Sequence, residues 1–332
     1  MGNGEGFIPH IKPTRRKEMN RVRNNKLAIV IFILPAAWLF LGIIIVPIFL
    51  SSYYSLLDWD GISEPTFIGL KNYVEIFTSS SIGFPKSVAN VLLLAALSLV
   101  VQLPISLLLA IVLANGVKGE RFFLSVFFIP NLISTVVTGQ LWMKIYNYEY
   151  GLLNLFLRAI GLESLTRIWL GDTKTALGAV FVAQLWQYIG YNMLLLYAGI
   201  KSQSQEVREA ARIDGAGEWR ILAKIVLPMS TPIIATLALL VGLGYWNDWL
   251  NGLYYINNDK LYSIQVLLNK MLLDVQYLMS GASGGALTQS ITLPATGIKM
   301  AVAVMGALPI LVVYPFFQKY FVKGIVIGAV KG

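Results

Sequence analysis

Residues 27–50 read LAIVIFILPAAWLFLGIIIVPIFL, 24 residues without one ionisable side chain. A helix rises about 1.5 Å per residue, so this run can cross the roughly 30 Å hydrocarbon core of a bilayer. It is too long for the apolar segment of a secretory leader, and a polar stretch of 26 residues precedes it, so it is expected to remain as a span. Five further charge-free stretches meet or approach the required length: Ser87–Ala114, Phe122–Met143, Thr175–Ile200, Ile225–Asn247 and Met300–Gln318. Prolines inside them (Pro35, Pro104, Pro130, Pro228, Pro309) are tolerated in membrane helices, where neighbours satisfy the freed carbonyls. A seventh charge-free stretch, Val275–Ile298, is rich in Gly, Ser and Thr and reads as an extended outer loop.

The rest of the composition agrees. Of 332 residues, 56% are hydrophobic and 13% charged, with mean hydropathy +0.67, whereas soluble domains carry roughly 25% charged residues. Cysteine is absent and His10 is the only histidine, which argues against disulfide frameworks, thiolate metal sites and histidine-based catalysis. The expected fold is an all-α integral membrane protein with six transmembrane helices. A basic arm (1–26) precedes the membrane domain (27–321), and a short tail (322–332) follows it.

Orientation follows from Lys and Arg near the span ends. The arm carries Lys12, Arg15, Arg16, Lys17, Arg21, Arg23 and Lys26. With six spans, the arm, the Lys118 loop, the segment Lys201–Lys224 and the C-terminus share one side, and they hold 17 of the 26 basic residues. Both termini are therefore expected in the cytoplasm, and the arm reads as a topology signal rather than a nucleic-acid-binding tail. The longer outer segments, Ser51–Pro85 and Leu250–Lys299, are places for partner-facing structure.

Nine of the 43 charged residues fall in Lys201–Lys224. From Gln205 to Pro228 this segment reads as two short helices around a turn. Val207, Ala210 and Ala211 share a face of the first, and Gly215 and Gly217 are suited to end it. Trp219, Leu222, Ala223 and Val226 form an apolar stripe on the second, as for a helix lying on the membrane surface.

The spacing Glu209-Ala210-Ala211, three residues, Gly215, nine residues, Ile225-Val226-Leu227-Pro228 resembles the EAA loop of binding-protein-dependent ABC importer permeases. The resemblance extends through Trp59-Asp60-Gly61, Phe67–Tyr73, Arg121–Pro130 and Tyr150–Asn154, which look like the first permease of maltose- and glycerol-phosphate-type carbohydrate importers. Tyr245-Trp246-Asn247-Asp248-Trp249 and the C-terminal Gln318–Gly332 look instead like the second permease partner. The resemblance implies a type I importer permease fold in a prokaryotic cytoplasmic membrane. It also implies a second permease subunit (a different chain, or a second copy), two cytoplasmic ATPase subunits and an extracytoplasmic sugar-binding protein. Within that family, segment 205–228 would couple to the ATPase through Glu209, Ala210, Ala211, Asp214, Gly215, Leu227 and Pro228. By the same resemblance the tail residues Gly328, Lys331 and Gly332 would reach the ATPase, and roughly Asn258–Pro294 would probe the binding protein.

Polar and aromatic residues within spans are costly and face a bundle interior or a water-filled path. Gln184, Gln187, Tyr188, Tyr191, Asn192, Tyr245, Asn247 and Asp248 are the candidates for a translocation path, with Gln184, Gln187 and Asn247 foremost. Aromatic faces stack on sugar C–H surfaces and amides bond hydroxyls, so the mixture suits a carbohydrate better than an ion. Trp142, Trp249 and Tyr254 fit an interfacial aromatic belt. No G-x-x-x-x-G-K-[ST] phosphate loop occurs. This chain is accordingly expected to have no catalytic or metal-binding residues and to bind no cofactor, with ATP and Mg handled by partner ATPase subunits. An ion-coupled secondary carrier is the alternative transport class, and a membrane-embedded transferase the alternative enzyme class. Their intramembrane carboxylates, repeats or acid–base constellations are not evident in the sequence.

Overall fold

The computed structural model describes residues 26–61, 63–202, 205–279 and 296–329, in one unit ending at Tyr54 and another from Ser55 onward. The first unit contains α1, which is Lys26–Phe40 continued through a π turn (Leu41–Ile45) into Val46–Tyr54. In the second unit, α2 is Lys71–Thr78, α3 Phe84–Ala114, α4 Glu120–Leu132, α5 Thr135–Ile145 and α6 Leu152–Ala159. After them come α7 (Ala176–Lys201), α8 (Gln205–Ile213), α9 (Glu218–Trp246), α10 (Leu250–Tyr255), α11 (Ile264–Met279) and α12 (Thr296–Ala329). The departure from all-helical structure among the described residues is a small hairpin, β1 (Leu57–Asp58) antiparallel to β2 (Thr66–Phe67), with Leu57 opposite Phe67.

Five of the six expected spans are single helices long and apolar enough to cross a membrane; the third is not. Phe122–Met143 falls on α4 and α5, which meet at 94°. Pro130 lacks an N–H and sits in the last turn of α4, after which Ile133 and Ser134 are extended. The break exposes the Ile133 carbonyl inside the bundle, and Gln187 Nε2 of α7 donates to it at 3.2 Å. Irregular backbone survives at membrane depth only where protein supplies such partners. α7 can approach because Gly190 has no side chain: a Cβ there would lie 1.8 Å from the Phe127 carbonyl oxygen of α4.

Prolines shape the other spans differently. π turns at Leu41–Ile45, Ser98–Gln102 and Leu222–Val226 each end two residues before a proline: Pro47, Pro104 and Pro228. A proline ring clashes with the carbonyl four residues earlier and cannot donate to it. Widening the preceding turn to i→i−5 bonding, as in Leu103 N to Ser98 O and Leu227 N to Leu222 O, accommodates this without breaking the helix.

α7 is the most enclosed span, lying against α3, α4 and α9. One apolar cluster joins Ala110 and Leu113 of α3, Met193, Leu196 and Ile200 of α7, and Ile221, Val226 and Leu237 of α9. Another joins Ile76, Phe84 and Val91 to Trp246, Ile264, Met271 and Val302. Trp246 Nε1 also donates to the Gly306 carbonyl at 2.7 Å, which pins α9 to α12. Two buried asparagines staple the outer segments. Asn72 Nδ2 donates to the Ser55 and Leu57 carbonyls, and Asn154 joins Tyr148, Arg167 and Trp169. Part of the expected loop Val275–Ile298 is helical, 275–279 closing α11 and 296–298 opening α12; 280–295 lie outside the described residues.

Candidate functional site

α7 places Tyr188 four residues after Gln184, with Tyr191 and Asn192 three and four residues further on, the spacings that bring side chains to one helix face. α3 contributes Gln102 from its π turn, and α9 contributes Leu237, Leu240, Val241, Gly244 and Tyr245. Asp248 and Asn251, just beyond α9, complete the lining of a cavity of about 300 Å³. Aromatic and aliphatic walls carrying a few convergent polar groups are the ordinary makeup of a small-molecule site.

The polar groups form a connected set around Asp248. Its Oδ2 accepts from Gln184 Nε2 at 2.7 Å and from Asn251 Nδ2 at 3.0 Å, while its Oδ1 accepts from the Asn251 backbone N–H at 3.1 Å. Burial pushes the Asp248 carboxyl pKa up, and the bonds from Asn251 and Gln184 pull it back toward the charged form. Tyr245 OH donates to Gln102 Oε1, which also accepts from Ser98 Oγ. Three buried polar atoms of the lining have no partner among the described residues: Gln184 Oε1, Asn192 Nδ2 and Asn251 Oδ1.

Six of the eight sequence-derived path candidates thus share one cavity. Gln187 does not, being committed to the α4–α5 break. Asn247 does not either: it is exposed, its Nδ2 donates to the Leu243 carbonyl, and its Oδ1 accepts from Gln265. Gln102 and Asn251 were not anticipated. A lone glutamine in an apolar span is the signal that could have found Gln102, whereas Asn251, in the short helix α10, falls in what the sequence reads as an outer segment and carries none. Trp142, expected in an interfacial belt, is partly buried, packing against Tyr146 and Trp186 with ring centroids 5.1 and 5.9 Å away.

At the opposite end, α8 closes in a Schellman motif. Gly215 has φ +77°, its N–H donates to the Arg212 carbonyl, and the Ala216 N–H donates to the Ala211 carbonyl. Asp214 is exposed, and its N–H donates to the Ala210 carbonyl. Arg212 grips Glu218 through Nε (2.7 Å) and Nη2 (3.1 Å), clamping the elbow between α8 and α9. Ala211 and Ala216 pack against the apolar cluster of α3, α7 and α9, while Glu209 and Ala210 face outward. Ile213 and Trp219 are 86% and 79% exposed, an apolar surface on an otherwise charged loop. The second helix of this loop does not lie along the membrane as a separate element. It is the first part of α9, with Ile221 and Val226 buried, and it runs through the π turn into the span past Leu227 and Pro228. The backbone of α12 is helical to Ala329, so Gly328 lies in that helix; Lys331 and Gly332 lie outside the described residues.

Comparison with known proteins agrees with this architecture. Residues 102–327 match the family described as binding-protein-dependent transport system inner membrane component. The chain is 42% identical over 212 residues to the probable ABC transporter permease protein YurN of Bacillus subtilis (strain 168), covering 63% of this chain and 72% of that one. It is 31% identical over 205 residues to the trehalose/maltose transport system permease protein MalF of Thermococcus litoralis, covering 61% and 68%. Among solved structures it is similar to a chain of a bacterial alginate ABC transporter in complex with an alginate pentasaccharide-bound periplasmic protein. There the TM-score is 0.69 at 22% identity, over 91% of this chain and 94% of that one. Multiple spans, a cavity carrying polar groups between them, an exposed helical elbow and a family match over most of its length lead to one conclusion: the chain belongs to the binding-protein-dependent transport system inner membrane components, the multi-pass permease chains of ABC importers.

Proposed function

We propose that this permease carries a sugar or oligosaccharide, and that the cavity between α3, α7 and α9 is its share of the path. The observation that carries this reading is the cavity lining: tyrosine rings beside Gln184, Asn192 and Asn251, each of which keeps a buried polar atom unpartnered among the described residues. Rings stack on the C–H faces of a pyranose, and the amide side chains exchange hydrogen bonds with its hydroxyls. The names of the relatives, trehalose/maltose for one and alginate for another, support a saccharide. Family membership displaces the ion-coupled secondary carrier as an alternative.

In this reading both termini are cytoplasmic and a second permease subunit faces the cavity. The binding protein delivers the sugar from outside, toward the segment Asn258–Pro294. Two ATPase subunits bind and hydrolyse ATP with Mg, and this chain performs no chemistry and holds no cofactor. Their closure acts on the outward face of α8, at Glu209, Ala210 and the exposed Ile213. The Arg212–Glu218 clamp and the continuous α9 turn that push into movement of the cavity wall, since Leu237 to Tyr245 ride on the same helix. Glu209 supplies a charge-assisted hydrogen bond to the partner, and the tail beyond Gly328 adds a second contact.

The test is ATP-driven uptake by the assembled system after Glu209 and Gly215 are both replaced with bulky residues. The expected result is loss of uptake and of binding-protein-stimulated ATP hydrolysis, with the complex still able to assemble. Full uptake in that variant would sink the coupling role of this loop.

A further inference from the structure

The charges around the cavity narrow the class of sugar, an inference that rests on the cavity being the sugar path. The chain has 26 Lys and Arg and a net charge of +9, yet neither Lys, Arg nor His lines the cavity among the described residues. The one carboxylic acid among the described lining residues is Asp248. We infer that this cavity takes uncharged polyols and excludes anionic sugars such as uronates, and that Asp248 is the residue that sets the preference.

The hydrogen-bonding inventory points the same way. A carboxylate has about four acceptor positions, and three chain donors reach the Asp248 oxygens, which leaves room for about one ligand hydroxyl. The side chains of Gln184, Asn192 and Asn251, each with one buried atom unpartnered among the described residues, stand around the same cavity. Tyr188 and Tyr191 bring hydroxyls to the same lining, so the wall offers both acceptors and donors to the hydroxyls of a ligand. A uronate brings an acceptor-only group to a lining without Lys, Arg or His among the described residues. Its charge meets that of Asp248, whose ionised form the three chain donors favour against the cost of burial. At cavity-scale separations and intermediate dielectric, such repulsion lowers occupancy by roughly tenfold or more.

The absence of cysteine makes a direct test possible. Leu240, an exposed residue of the lining, becomes the only thiol in Leu240→Cys. In membrane vesicles carrying the full transport system, that thiol is reacted with an uncharged and an anionic methanethiosulfonate of similar size. Each rate is divided by the same reagent's rate with free mercaptoethanol. The anionic reagent is expected to react at least tenfold more slowly, and adding Asp248→Asn is expected to narrow the gap severalfold. Equal normalised rates, or a faster anionic reagent, overturn the inference, as does a gap that Asp248→Asn leaves unchanged. The first comparison needs only Leu240→Cys, so it stands even if the double variant fails to fold. Failure of the underlying sugar-path reading shows in a separate readout. If the neutral label leaves ATP-driven uptake of the sugar retained by the co-purified binding protein intact, the cavity is not the path, whatever its electrostatics.

Discussion

Gly190 and Gly215 owe their identity to different physics. At Gly190 the constraint is space, because any side chain would overlap the Phe127 carbonyl of the neighbouring helix. Gly190→Ala should lower the detergent melting temperature, at a cost of about 1–3 kcal/mol for a forced helix separation. Gly178→Ala is the control: it is on the same helix with nothing within 4 Å of the added methyl, and it should be neutral or stabilising by up to about 1 kcal/mol. At Gly215 the constraint is the backbone, since φ +77° is left-handed while the surroundings are open. Gly215→Ala should therefore cost only about 1 kcal/mol and leave the melting temperature nearly unchanged. It should nonetheless reduce binding-protein-stimulated ATP hydrolysis by loosening the elbow. The sequence marked Gly215 through its spacing in the loop, whereas Gly190 looked like any glycine in a span, because its reason lies on another helix.

At the scale of elements, prolines produce two outcomes that composition does not distinguish. Pro47, Pro104 and Pro228 follow π turns and leave continuous helices, whereas Pro130 precedes a 94° break. The break is tenable because Gln187 reaches the Ile133 carbonyl. Gln187→Leu removes that donor and leaves a buried carbonyl unpaired, with an expected loss of about 1–2 kcal/mol in thermal unfolding. Its effect should be on stability, with the relative rates of neutral and anionic reagents at Leu240→Cys unchanged, since Gln187 does not line the cavity. A mid-span glutamine reads the same in sequence whether it faces ligand or backbone. Gln184 and Gln187 are three residues apart and have opposite assignments.

For the whole molecule, the basic residues predict a sidedness that single cysteines can test, because the chain has none of its own. Lys118→Cys and Ser202→Cys should be labelled only by reagent added from the cytoplasmic face, and Asp60→Cys and Asn258→Cys only from outside; any exchange between the pairs would refute the proposed topology. The crossings themselves were legible because burying apolar length in lipid is a sum along the chain, so uninterrupted hydrophobicity is enough to locate spans. The elbow was legible for a related reason, since its helix-ending glycine and its residue spacing are local. The makeup of the cavity is not local. It depends on how each helix is rotated about its axis, and every π turn inserts a residue that rotates the rest of its helix by about 100°. Gln102 and the α9 wall both sit in or beyond such turns. Sequence by itself thus located the five single-helix spans and the elbow; only tertiary packing decided that the third stretch breaks at Pro130 and which polar side chains meet Asp248.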